Sequence, residues 1–289
     1  MTDQKDTKKP RSGFARMKAA KAARKAGETK AERRQRFGAR AEPATATEVP
    51  YHLHGLHAVR AALANPRRTI HKLMATPNAL KRLEVPIPEG LSVEEVRPSD
   101  LDALLGDDAV HQGVAALIDP LATEPLSAPY PKLSILLDQV TDPHNTGAIL
   151  RSAAAFEADA VITTARHAAR ETATMAKAAS GAFELVPILT VRNLAESIDA
   201  LKDAGTLVIG LDGTATTELP AALTALKKAQ DQPIALVLGA EGKGLREKTK
   251  ATCTALARLP FTGSQLASLN VSNAAVLALY IARQSAEAG

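Results

Sequence analysis

Arg151 has unusual neighbours for an arginine on a helix. It lies in "LDQVTDPHNTGAILRSAAAF", residues 137–156, where a strand-like run passes through a polar turn into a helix of small residues. Its helix neighbours three and four positions away are Gly147, Ala148, Ala154 and Ala155. None is an acid, so an ion pair within the helix is unavailable. A solvated side chain is one reading; a side chain kept for a ligand is the other. Asn145 is placed to cap this helix, and Gly147 suits a helix start that a ligand must approach. A second segment, "GAEGKGL", carries Glu241 at the tip of a glycine-rich turn that begins at Gly239. It is either an ordinary left-handed turn or a loop whose backbone comes close to a ligand. Two residues separate Gly239 from the Gly-Lys pair where a Walker loop needs four, and no strand is followed by G-x-G-x-x-G. P-loop and nicotinamide binding are thereby set aside. A third segment, "SQLASLNVSNAAVLALYIA", crowds Ser268, Asn270, Ser272 and Asn273 at a helix start. Capping needs two of them, so the surplus of polar groups marks a ligand site.

Other reactive side chains carry less. His52, His54 and His57 cluster in "HLHGLH", but a metal site would need a further ligand and no cysteine or carboxylate is at hand. A structural or RNA-facing role suits them, and no metal is expected. Cys253 is the one cysteine. It has no histidine nearby in sequence and reads as a small hydrophobe. A disulfide framework or a cysteine zinc cluster is excluded.

These segments need elements to hold them. From residue 133 onward, unbroken apolar runs alternate with helical stretches: "LSILLDQV", "DAVITT", "FELVPILTV", "TLVIGLD", "PIALVLG" and "LARLP" are the strands. Helices are expected over 146–156, 171–179, 194–203, 217–229, 245–254 and 271–286. Apolar strands separated by helices form a parallel sheet covered on both faces. Ligands in such sheets sit beyond the carboxyl ends of the strands. The three polar segments all fall there and converge if their strands are neighbours.

The chain of 289 residues divides into four parts. Residues 1–48 form a basic arm expected to be disordered. Its first forty residues hold fourteen Lys or Arg against four acids, while the other 249 carry 22 against 27. The arm cannot bury a core. It is either a solubilising tail or a segment that docks on a phosphate backbone. Residues 49–119 form a small α/β domain, with a helix in "GLHAVRAALAN", a strand in "TIHKLMAT", a helix in "SDLDALLGD" capped by Ser99, and a strand in "QGVAALI". Residues 120–132, with four prolines, read as a linker. Residues 133–289 are the sheet domain. With 3% aromatic residues and no Trp, a nucleic-acid surface built on stacked rings is disfavoured. No apolar run reaches the roughly 18 residues of a membrane span. A cytoplasmic protein without membrane partners is expected.

Taken together, "DPHNTGAILRSA", "LVLGAEGKGL" and "LPFTGSQLASLNVSNAA" resemble the three motifs of the SpoU family of RNA ribose 2′-O-methyltransferases, within the SPOUT superfamily. The resemblance covers about residues 133–283. "HGLHAVRAALAN" and "HQGVAAL" look like the RNA-binding domain that precedes the catalytic domain in several members. The stretch 259–269 is one residue longer than the family spacing, so a bulge is expected near 264–267.

The resemblance implies an α/β parallel sheet with a C-terminal trefoil knot, S-adenosyl-L-methionine as cofactor and a homodimer. By motif, Gly239, Leu259 and Leu269 would contact the cofactor, and Asn145, Arg151, Glu241, Ser268 and Asn270 would form the catalytic cluster. The substrate implied is RNA: a guanosine of large-subunit rRNA, or else a tRNA ribose, with a non-catalytic RNA-binding assembly factor as the reading from another class. Arg151 is the family's candidate for activating the hydroxyl. It would do so either desolvated beside the sulfonium or charged, clamping the 3′-phosphate while the phosphate takes the proton.

Overall fold

The computed structural model describes residues 49–166, 171–260 and 269–287. The basic arm 1–48, Ser268 and the bulge expected at 264–267 lie outside the described residues.

Eleven strands and nine α-helices are found among the described residues. The chain opens with β1 (Tyr51–His54), α1 (Leu56–Ala64), β2 (Ile70–Ala75), α2 (Pro77–Leu83), β3 (Ser92–Glu95), α3 (Pro98–Leu105) and β4 (Val114–Ile118). These strands form a mixed sheet in the order β1-β4-β2-β3. The short strands β1 and β3 and the helix α2 went unread in the sequence. Thr76 capping α2 by accepting from the Ala79 amide, with Pro77 next, was the available signal. Ser99 is not a cap. Pro98 presets the first helical residue, so Arg97 takes the cap position and its amide donates to the Asp100 carboxylate at 2.9 Å.

The second sheet has seven parallel strands in the order β11-β9-β10-β6-β7-β8-β5. They are β5 (Glu124–Pro125), β6 (Leu133–Asp138), β7 (Ala160–Thr164), β8 (Ile188–Val191), β9 (Leu207–Leu211), β10 (Ile234–Gly239) and β11 (Ala255–Ala257). The segment 120–132 is therefore more than a tether, because β5 pairs with β8 at the sheet edge. Residues 183–191 are not one strand. Ala182–Glu184 form a 3₁₀ turn, and β8 begins only after Pro187, which cannot donate to a ladder.

The crossovers are α4 (Pro143–Ala155), α5 (Ala173–Ala179), α6 (Leu194–Asp203), α7 (Leu219–Leu226) and α8 (Glu247–Thr252), and α9 (Val271–Glu287) follows the last strand. Alternate residues of the strands feed opposite faces. Ile135, Leu137, Leu236 and Leu238 pack with residues of α4, α5, α7 and α9. Leu136, Ala235 and Val237 pack with Leu194, Ile198 and Leu201 of α6. The first core also contains Leu53, Val59, Leu73 and Ile118, so it runs without a break into the four-stranded sheet. No helix among the described residues is long and apolar enough to cross a membrane.

Candidate active site

β6 and β10 are neighbours at the centre of the sheet and end level, Asp138 opposite Gly239. From β6 the strand order runs one way through β7 and β8, and from β10 the other way through β9 and β11. This is the reversal point at which open α/β sheets bind ligands. The loops after β6 and β10 are thus adjacent, which meets the condition the sequence reading set for them to converge.

Asp138 fastens them together. Its carboxylate is fully buried and accepts from the Arg246 amide at 3.0 Å and from Arg246 Nε at 2.6 Å. The loop it holds is closed on itself, with the Gly244 amide donating to the Ala240 carbonyl at 2.8 Å. A Cβ on Gly239 would stand 2.2 Å from the Gly244 carbonyl carbon, so only glycine fits at the root of this loop. Glu241 is exposed at the tip.

The third segment reaches the same place. Asn270 Nδ2 donates to Asn145 Oδ1 at 3.0 Å and lies 3.5 Å from Glu241 Oε2. Its Oδ1 accepts from the Ser272 amide at 2.9 Å and the Ser272 hydroxyl at 2.6 Å. One side chain thereby caps α9 and ties together the segments after β6, β10 and β11. Leu259 is buried, and Leu269 packs half-buried on the core. Among the described residues, no hydrogen bond engages the backbone of either leucine.

Two expectations about α4 need correction. Asn145 is not its cap. Pro143 begins the helix earlier, and Asp142 accepts from the His144 amide at 2.8 Å. Asn145 is left free to face Asn270 while its Nδ2 donates to Asp142 at 3.3 Å. Gly147 does not face a ligand. A Cβ there would lie 2.4 Å from the Met175 carbonyl, so the glycine lets α4 and α5 touch backbone to backbone.

Of the predicted cluster, Asn145, Glu241 and Asn270 come together, with Gly239, Leu259 and Leu269 around the strand ends. Arg151 is exposed on α4, and its side chain makes no hydrogen bond or ion pair with any described residue. It lies six residues beyond Asn145, about 9 Å along the helix and roughly a third of a turn round it. Sequence reasoning missed Asp138 and Arg246. A lone carboxylate closing the apolar run "LSILLD" was the visible signal. Elsewhere, Cys253 donates to the Thr249 carbonyl, and burial pushes its thiol up to about 11, which leaves it unreactive. His52 and His54 are half-buried on β1, and His57 is exposed on α1.

An open parallel sheet whose polar loops meet at its reversal point defines an α/β protein built around a ligand site at the strand ends. The SpoU rRNA Methylase family model matches residues 132–280, and a model for RNA 2′-O ribose methyltransferase substrate binding matches residues 52–124. The chain belongs to the SpoU rRNA methylase family.

Similar proteins include the 23S rRNA (guanosine-2′-O-)-methyltransferase RlmB of Haemophilus ducreyi, 39% identical over 247 residues, spanning 80% of this chain and 97% of that protein. RlmB of Photobacterium profundum is 37% identical over 240 residues, spanning 79% and 95%. Among solved structures, a TrmH-family protein of Porphyromonas gingivalis matches with a TM-score of 0.66 at 26% identity, over 81% of this chain and 90% of that one. The methyltransferase AviRb of Streptomyces viridochromogenes, solved with AdoMet, shares the fold with a TM-score of 0.65 at 21% identity, over 91% and 95%.

Proposed function

We propose that this chain methylates the 2′-hydroxyl of a guanosine ribose in 23S rRNA, using S-adenosyl-L-methionine. The observation that carries this reading is the Asn270 amide, which draws the segments after β6, β10 and β11 into one polar site at the strand ends. The RlmB relatives carry this activity in their names and span nearly their full length against this chain.

The residues present fit the cofactor. Gly239 offers a bare backbone at the strand end, Leu259 and Leu269 offer apolar walls and backbone groups that bond to no described residue, and Glu241 offers a carboxylate. S-adenosylmethionine supplies, when bound, a methyl group on a cationic sulfur. The protein's task is to hold the ribose in line with that methyl and to take up the hydroxyl proton. Asn145 and Asn270 fix the ribose side of the site, Glu241 steadies the Asn270 amide and Asp142 steadies the Asn145 amide. Arg151, whose side chain is committed to no described residue, holds the target nucleotide through its 3′-phosphate with a charge-assisted pair. The phosphate beside the hydroxyl then accepts the proton. By motif, Ser268 belongs to the same catalytic cluster as Asn270.

The chain leaves β11 at the sheet edge yet returns at Asn270 beside the segment after β6, three strands away. This supports threading of the C-terminal segment as the trefoil knot of the SPOUT superfamily. Val276, Leu277 and Tyr280 leave an exposed apolar stripe on α9, and Tyr280 makes an edge-to-face contact with Phe156. We take this stripe as the homodimer face. Residues 49–119 hold the RNA, the arm 1–48 adds phosphate contacts, and the enzyme works in the cytoplasm on ribosomal RNA.

Incubation with labelled S-adenosylmethionine and separate 23S rRNA and tRNA transcripts tests the activity. One ribose-methylated guanosine in 23S rRNA is expected; label confined to tRNA, or no transfer at all, would refute it. Two substitutions probe the cofactor side. Gly239→Ala drives a Cβ into the Gly244 backbone and is expected to weaken S-adenosylmethionine binding about ten-fold by calorimetry. Asp138→Asn loosens the Arg246 anchor, and a loop displaced by about an ångström is expected to lower kcat/KM by on the order of ten-fold.

A further inference from the structure

The crossover from β7 to β8, residues 171–184, touches both halves of the molecule. On one side α5 lies against α4 so closely that a Cβ on Gly147 would be 2.4 Å from the Met175 carbonyl and 2.7 Å from Ala178 Cβ. Met175 and Ala179 are fully buried there. α4 is the helix that carries Asn145 and Arg151. The Ala182–Glu184 turn packs against both α4 and α1.

On the other side, two acids of the crossover reach into the four-stranded-sheet unit. Arg68 Nη2 donates to Glu171 at 2.8 Å and to Glu184 at 2.6 Å, and Arg68 Nε donates to Glu184 at 3.0 Å. The three side chains are 0%, 4% and 3% exposed. One guanidinium therefore faces two buried carboxylates. Neutral donors make up the difference: Tyr51 OH to Glu171 at 2.5 Å, the Leu121 amide to Glu171 at 2.7 Å, and Asn65 Nδ2 to Glu184 at 2.6 Å. Burial and the Glu171 carboxylate raise the Tyr51 phenol far above its ordinary value, so it stays a donor. Charges this dry cannot slide, because parting them strands a buried ion at a cost of about 3–5 kcal/mol.

We propose that residues 171–184 form a strut that fixes the RNA-holding unit relative to α4, with Arg68, Glu171 and Glu184 as positioning residues that select which ribose reaches the site. The inference rests on the methyl-transfer reading above. The strut sets the distance and angle at which bound RNA meets Asn145 and Arg151, and it leaves the strength of RNA binding alone. Errors in such placement appear in kcat with KM unmoved.

Two variants of the full chain test it. Glu184→Gln keeps the shape and leaves one guanidinium facing one carboxylate. Tyr51→Phe removes a single donor and no charge. For folded Glu184→Gln, kcat on 23S rRNA is expected to fall about ten-fold with KM within about two-fold, and for Tyr51→Phe by about three-fold. Ribose mapping is expected to show methyl groups at nucleotides flanking the wild-type one, while S-adenosylmethionine affinity is unchanged. Should Glu184→Gln not fold, Tyr51→Phe decides. Folded variants with wild-type kcat and a single wild-type nucleotide would overturn the strut alone, as would a loss confined to KM. Wild-type protein that methylates no RNA would overturn the activity and the strut with it.

Discussion

Arg151→Ala is expected to lower kcat by about 10²–10³-fold, the cost of removing one group that stabilises charge in a transition state. S-adenosylmethionine binding and the melting temperature should hardly move. The Arg151 side chain is exposed and bonded to no described residue, so its loss removes no contact that folding relies on. Surface changes of that kind stay within about 0.5 kcal/mol. Arg151→Lys separates charge from geometry. A lysine keeps the positive charge but loses the planar fork that grips a phosphate through two parallel bonds. Its kcat should therefore fall nearly as far as that of the alanine variant. Single-turnover kinetics on 23S rRNA, with calorimetry for the cofactor, check both. Full turnover by either variant would remove Arg151 from the chemistry.

The second large effect is on stability. Arg68→Ala should cost about 3–5 kcal/mol, because it leaves two carboxylates buried with no counter-charge. Exposure of 0%, 4% and 3% at Arg68, Glu171 and Glu184 leaves little room for solvent screening. Glu184→Gln should be far milder, since it takes away the surplus negative charge and leaves a one-to-one pair. Urea unfolding monitored by circular dichroism separates them. Arg68→Ala should shift the midpoint strongly and Glu184→Gln weakly. Equal shifts, or a loss below about 1 kcal/mol for Arg68→Ala, would mean the network is hydrated.

Much of this molecule was legible before its coordinates. The apolar runs of β6, β7, β9 and β10 have no polar alternation, which is what a doubly covered parallel sheet demands. The polar surplus around Asn270 stood out because capping alone does not require so many such groups, whereas the glycine-rich turn at Gly239 read equally as an ordinary turn or a ligand loop. Elsewhere two local rules compete, and proline placement overrides side-chain capping. Asn145 and Ser99 looked like caps, yet in both places a proline one or two residues ahead starts the helix sooner. Gly147 read as room for a ligand, and the room is taken by α5.

The Arg68 network was beyond sequence reading for a different reason. Its partners lie 103 and 116 residues away along the chain. No periodicity links residues so far apart, and an arginine beside a turn is ordinarily a surface residue. Asp138 and Arg246 are hidden in the same way, 108 residues apart. What stayed out of view was thus the long-range polar pairing that locks the loops and the two sheets in place.

A crystal structure of the protein with S-adenosylmethionine bound tests the central claim most directly. The cofactor should lie at the carboxyl ends of β6, β10 and β11, its polar groups on the backbone of Gly239, Leu259 and Leu269 and its methyl group facing Asn145 and Asn270. Cofactor bound at any other place on the chain, with the Asn145–Asn270–Glu241 cluster left apart from it, would contradict the assignment.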